Sequence, residues 1–478
     1  MMATNMKLAV LLPILILCTR SAHGQSVRVM HDARAETIGL LFRLAGAPDF
    51  SNGVQRAYNR DIDSTFAPFK RHAVFVEINR LRGAYGLSLS SVTSMAPQIT
   101  DASSFAERAP IDAPASSLNG AWRGAEARKF LESARDFSRV APLSTFLATH
   151  QPLFDSATTR LRRAVDRAQP EWFTQYFGAA PGDAFIVSPL LVNAGGNFAA
   201  DFIDDSTHER YAYLGVTLVD SMGFPAIAPD VLPTVIHEFS HSFVNPLMSG
   251  QTSALRGSGE RMFRAVQTQM RALAYTSWPT MLNESMVRAS VIRYVLATDG
   301  PVAASKELSL QQGLGFVWMD ELVRLLGEYE SQRSTYPTFA SFLPRVVDYF
   351  DALAPRLDRV MAAFDSRRPS IISTSIADSA RAVDPATTSL IVRFDRPVDP
   401  IVTLVGNHGG DTPPLTAAAF DSAHTTLTLG ISLRPDRDYV LPLGPGAFVS
   451  RDGYPLRLFV LRFRTAAPRE PSDGARLL

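Results

Sequence analysis

The stretch "PTVIHEFSHSFVNPL", residues 233–247, holds two histidines four positions apart, with a glutamate directly after the first. On an α-helix, positions i and i+4 share a face, so His237 and His241 can meet one ion about a turn apart. Glu238 lies beside that face, where a carboxylate can touch an activated water without being a ligand. Asp230, Pro233 and Thr234 stand where a helix start wants them, and Pro246 is expected to stop the helix. Val235, Ile236, Phe239, Phe243 and Val244 cover the remaining surface, which predicts a helix buried on several sides. Burying two histidines and a glutamate there without a cation leaves polar groups that are costly to satisfy. The competing reading is an ordinary helix that spells the motif by chance in a chain with nine histidines. The isolated His31, His72, His150, His408 and His424 are read as structural.

His-Glu-x-x-His gives a metal only two ligands, and two glutamates compete to be the third. Glu260 follows His241 by 19 positions, in the Gly- and Ser-rich "RGSGE" expected of an exposed helix start. Glu284 follows by 43 positions, in "TMLNESMVRASVIRYV", with Asn283 just before it and Val287, Val291 and Val295 repeating every fourth residue behind. The spacing predicts a helix beginning near Asn283 with an apolar face, which favours Glu284. Arg288, one turn further on, can hold that carboxylate, or can form a plain surface pair with it.

The rest of the chain frames this helix. Its 478 residues, 46% hydrophobic and 19% charged, have length for two or three domains and a sizeable core. The formal charge of +1 gives no electrostatic reason to expect nucleic acid or an anionic membrane as partner. The opening "MMATNMKLAVLLPILILCTRSAHGQS" reads as a secretory signal, residues 1–24, with cleavage after Gly24. A secreted or periplasmic location follows, and no later segment is long and apolar enough to span a bilayer. Cys18, the only cysteine, raises a lipoprotein, but Leu17 stands where lipid attachment wants a small residue. A mature chain without cysteine excludes disulfides and thiolate zinc sites.

Residues 25–178 are mainly helical in pattern, with "AETIGLLFRLAG", "AEARKFLESARDF" and the basic "ATTRLRRAVDRA" as examples. Residues 184–219 are rich in β-branched and aromatic residues and broken by Gly195-Gly196 and by a polar turn, a strand–turn–strand signature. Helices resume to about residue 366. Residues 370–466 alternate in short runs punctuated by Pro, Gly and Asp, as in a small β-sandwich. Residues 467–478 read as a disordered tail. The expected fold is α+β: a mainly helical metallohydrolase domain, 25–366, carrying a small sheet, then a β-sandwich.

"HEFSHSFVNP" together with "NESMVRA" resembles an uncharacterised family of secreted bacterial proteins that look like zinc peptidases with a glutamate third ligand, the gluzincins. The likeness extends to "ETIGLLFRLAG", "STFAPFKRHAVF" and "GGNFAADF", spanning about residues 30 to 360. It implies a zincin-like fold, a Zn2+ cofactor bound by His237, His241 and Glu284, and Glu238 as general base. The Asn-Glu pair is similar to the start of the third-ligand helix in thermolysin-like enzymes. The "IVRFDRPVD" and "LRFRT" runs resemble bacterial Ig-like domains.

The chemistry expected is metal-assisted hydrolysis: three protein ligands leave a fourth position for water, whose pKa falls towards about 7. Glu238 takes its proton and passes it to the leaving nitrogen. A transition-state donor is wanted too; Tyr275, Tyr294, Tyr336 and His208 are candidates among which the sequence does not choose. Gly195, Gly196 and Asn197 make either a bare edge strand that pairs with an extended substrate or a simple turn. The leading expectation is a secreted zinc peptidase acting on peptide or protein, with the Ig-like domain available for cell-surface contact. The alternatives are a catalytically silent zinc-containing binding protein and an amidase acting on cell-wall or small-molecule amides.

Overall fold

The computed structural model describes residues 26–113, 116–178, 183–193, 195–400, 411–444 and 447–467. The signal segment, Cys18, His408 and the tail from residue 468 lie outside the described residues. The chain is α+β: a mainly helical N-terminal region with small sheets, then an all-β C-terminal region of several sheets.

One mixed sheet organises the helical region. Its strands are β1 (Arg28–Val29), β2 (Ala184–Leu190), β3 (Asn197–Ile203) and β4 (His208–Gly215), in the order β1-β2-β4-β3. β2 runs parallel to β1 and β4, while β3 is antiparallel to β4 and forms an edge. Side chains alternate across a strand, and each face of this sheet meets its own core. Phe185, Val187, Ala212 and Leu214 pack with the helices after residue 231, including Val235, Phe239 and Phe243. Ile186, Ala200, Phe202, Tyr211 and Tyr213 pack with the N-terminal helices, including Ile38, Phe42 and Phe154. Burial on both faces explains why β2 reads as a nearly unbroken apolar run.

Two buried acids tie the first helix, Ala33–Leu44, to this sheet. Asp32 caps the helix through the Arg34 N–H at 3.0 Å and accepts from the Tyr213 hydroxyl at 2.8 Å. Glu36 accepts from the Tyr58 hydroxyl at 2.8 Å and from the Leu191 and Val192 N–H groups, each at 3.0 Å. Burial pushes the Glu36 carboxyl up to about 7, against the pull of those three donors.

The histidine-bearing helix spans Leu232–Ser249 and crosses beneath β3 and β4. It runs through Pro246, contrary to the expected stop. A proline there removes one N–H, and the carbonyl it would have bonded belongs to Ser242. The buried Arg210 guanidinium from β4 donates to that carbonyl at 3.4 Å, so the missing rung is replaced from the sheet. Arg210 is itself held by Asp183 at 2.6 Å and lies 4.0 Å over the Phe243 ring.

The helix carrying Glu284 spans Trp278–Asp299, so it begins five residues earlier than its sequence pattern suggests. Ser277 caps it and Pro279 occupies its first turn, a start signal stronger than Asn283-Glu284. Glu260 sits in the middle of the helix Thr252–Ala272 rather than at its start. Glycine is required beside it: a Cβ at Gly259 would lie 2.3 Å from the Trp278 ring.

The last helix of this region, Leu357–Arg367, leads to the strand Ile371–Thr374. Strands 415–420, 426–431, 389–394 and 371–374 form one sheet and strands 438–443, 459–465 and 380–383 another. Leu390, Val392, Leu429, Leu441 and Phe463 join the two sheets in a shared core. This region meets the helical one where the Ser309 hydroxyl donates to the Gly453 carbonyl at 2.5 Å and Arg368 donates to the Leu456 carbonyl at 2.8 Å.

Candidate metal centre

His237 and His241 project from one face of their helix, as the four-residue spacing requires, and Glu284 meets them from the neighbouring helix. The two imidazole Nε2 atoms are 3.2 Å apart. Glu284 places Oε2 at 3.5 Å from His237 Nε2 and Oε1 at 3.4 Å from His241 Nε2. One ligand atom from each residue thus lies within 4.8 Å of the others, a group that could hold a metal ion. Glu260 is exposed and paired with Arg256 at 3.8 Å, apart from this group.

The donor set fits zinc by chemistry and by spacing. Two imidazole nitrogens and a carboxylate are borderline donors of the kind zinc takes. Tetrahedral bonds of 2.0–2.1 Å give donor-to-donor edges of about 3.3 Å, close to the three separations found. Three converging lone-pair donors without a cation would repel one another unless a proton were shared among them. Burial drives the His237 imidazole down to about 3. His241 responds oppositely: burial lowers it, but the hydrogen bond and charge of Glu284 outweigh burial and raise it to about 9. Burial likewise raises the Glu284 carboxyl, yet the two histidines and Arg288 hold it well below the usual carboxylate range.

A set of polar groups orients the three. Asn245, one turn beyond His241, accepts at Oδ1 from His241 Nδ1 at 3.0 Å and from the Asn283 amide at 2.7 Å. That bond places the His241 proton on Nδ1 and leaves Nε2 to face the cluster. The Tyr275 hydroxyl donates to Glu284 Oε2 at 2.9 Å, and Arg288 approaches the same oxygen at 3.2 Å. Arg288 also donates to the Tyr275 oxygen at 2.6 Å and to Gln311. Its side chain is 11% exposed, so the pair with Glu284 is an interior one. Tyr275 reaches this spot because Ala274 turns the chain with φ +64°, a left-handed backbone that alanine adopts at some strain. Neither Asn245 nor Gln311 was singled out by motif; for Asn245 the i+4 spacing from His241 was the available signal.

Glu238 is buried beside the cluster and, with the three converging residues, lines a cleft of about 1690 Å³. Burial pushes its carboxyl up to about 7, opposed by the charge of His241 and the backbone N–H of Ala199 on β3. Of the four donor candidates, Tyr275 lines the cleft. His208 sits on Asp183 at 3.2 Å, the Tyr294 hydroxyl accepts from the Gln169 N–H at 2.8 Å, and Tyr336 packs edge-on against Phe342. Asn197 lines the cleft at the start of β3 and accepts from the Gly215 N–H at 3.2 Å. Gly195 has φ +98°, and a Cβ on Gly196 would lie 2.3 Å from the Phe198 ring. The two glycines therefore serve the tight entry into β3.

A family model described as a domain of unknown function, DUF4932, matches residues 32–349, two thirds of the chain and the whole of the cluster. The chain belongs to the DUF4932 family. No curated protein matches it. Solved structures that resemble it include surface layer protein SbsC, domains 1-6, at 15% identity and a TM-score of 0.16, covering 50% of this chain and 34% of that one. The S-layer protein rSbsC(31-844) gives 13% identity and a TM-score of 0.17, covering 72% and 42%. The N-terminal part of SbsC gives 13% and 0.16, covering 72% of each. The chain thus spans less than half the length of the first two, and superpositions of this quality support no inference about fold or function.

Proposed function

We propose that this protein is a zinc-dependent metallohydrolase, and specifically a peptidase. One observation carries the reading: His237, His241 and Glu284 converge at the spacing of zinc ligands on the floor of a cleft, with a buried, unliganded carboxylate, Glu238, beside them. Zinc held by these three residues would supply Lewis acidity and a nucleophilic water near neutral pH. The chain's own groups do the rest. Glu238, its carboxyl raised to about 7, is suited to take a proton at a carboxylate oxygen and return it to a leaving nitrogen. Tyr275 and Arg288 fix the Glu284 carboxylate, Asn245 fixes the His241 ring, and Asn283 steadies Asn245. β3, an antiparallel edge strand along the cleft, offers main-chain groups to an extended peptide.

The same reading makes 25–366 a zincin-like domain, with a helical part 25–178 and a metal-site part 179–366, and 370–466 an Ig-like sandwich suited to cell-surface contact. Residues 1–24 would direct secretion. Glu238 speaks against a silent zinc-containing binding protein, since a purely structural site has no use for an uncoordinated carboxylate beside it. The test is zinc content per chain by elemental analysis, with hydrolysis of a denatured protein by wild type and Glu238→Gln alongside. One zinc in both, with activity in wild type alone, is expected. A folded wild type that binds no zinc would overturn the reading.

A further inference from the structure

We infer that the cleft serves an endopeptidase, one that cuts inside a polypeptide and recognises about six residues without needing a free terminus. This deepens the peptidase reading and rests on it. The cleft follows the histidine helix beyond both of its ends, from Asp230 and Pro233 before the motif to Ser249 and Leu255 after it. At 1.5 Å per residue, it extends about 6 Å along the helix from His237 back to Pro233 and about 12 Å from His241 on to Ser249. The cluster is thus flanked by open cleft on both sides.

The edge strand gives the same geometry independently. β3 lines the cleft from Asn197 to Asp201 and again at Ile203. The Asp201 carbonyl already accepts from Gln98 at 2.8 Å and Ser117 at 2.6 Å, so the free run of β3 is Asn197–Ala200, about 13 Å for an extended partner, and the rest of the reach follows the helix. An exopeptidase needs the opposite: a site that ends within a residue or two of the scissile bond. The volume also exceeds the roughly 300–1,000 Å³ of sites built for small molecules, so a long substrate fits better than an amino-acid amide.

The test uses the full chain loaded with zinc, with Glu238→Gln as control. The probes are randomised peptides of four, six, eight and ten residues, acetylated at the N-terminus and amidated at the C-terminus, beside aminoacyl anilides with a free amine. Internal cleavage of the blocked peptides is expected, with kcat/KM rising more than about tenfold from four residues to eight and then levelling, because remote contacts contribute to transition-state binding. Zinc bound but blocked peptides left intact, or turnover confined to free termini, overturns the endopeptidase inference while the metallohydrolase reading stands. Failure to bind zinc at all removes that reading and this inference with it.

Discussion

Asn245→Ala is the substitution that most directly probes how the candidate metal centre is built. The side chain touches no ion-facing atom; its Oδ1 accepts from His241 Nδ1 at 3.0 Å and from the Asn283 amide at 2.7 Å. Truncation frees the ring to rotate and to place its proton on Nε2, the atom that must stay bare. A neutral hydrogen bond contributes about 1 kcal/mol, and loss of an outer partner of a metal-bound histidine weakens metal affinity about 10- to 100-fold, or ~1.4–2.7 kcal/mol. Asn283→Ala keeps the His241 bond and removes only the support behind it, so it should weaken zinc binding less than about fivefold. Asn245→Asp keeps the acceptor and adds charge, so its affinity should equal or exceed that of wild type. Zinc competition against a chromogenic chelator at fixed pH measures all three, with thermal melts of the apo proteins as the check on folding. Asn245→Ala within twofold of wild type, or weaker binding in Asn283→Ala than in Asn245→Ala, would refute the reasoning.

Further outcomes follow from other parts of the molecule. Glu284→Ala should abolish stoichiometric zinc while Glu260→Ala retains it, since Glu260 is exposed and paired with Arg256; elemental analysis decides between them. Glu36 should make stability fall with rising pH. Its carboxyl is raised from 4.5 to about 7, so its contribution is whole below 4.5 and lost by about 7, a change of ~3 kcal/mol. Melting temperatures of wild type and Glu36→Gln across that window should therefore diverge, and parallel profiles would count against the assignment. Gly259→Ala places a methyl 2.3 Å from the Trp278 ring and should destabilise by about 1–3 kcal/mol. A melting temperature equal to wild type would show that Trp278 moves freely.

The histidine helix was legible because an i, i+4 motif needs only helical geometry to bring its residues together, and Val235, Phe239 and Phe243 advertised that helix's burial. The sequence also favoured Glu284 through the apolar repeat behind it. What it hid were effects that depend on other elements. Pro246 predicts a helix end unless Arg210, distant in sequence, is known to take the Ser242 carbonyl. Asn283-Glu284 looks like a helix start until Ser277 and Pro279 are recognised as the stronger signal. The Gly- and Ser-rich run at Gly259 looks like an exposed helix start, when Gly259 lies inside a helix and makes room for an indole. Tyr275 could not be separated from Tyr294, Tyr336 and His208, because its meeting with Glu284 and Arg288 depends on how the chain folds back after the left-handed turn at Ala274.

The Arg210 contact has a bearing on motion. A helix with every rung closed could slide or tilt against the sheet as a rigid rod. Here the rung is shared, so the segment one residue past His241 is stitched to β4, the partner of the edge strand β3. The spacing between β3 and the histidine helix is therefore set by the sheet itself, one residue from His241, while Asn283 and Glu284 fix the opposite side of the same helix.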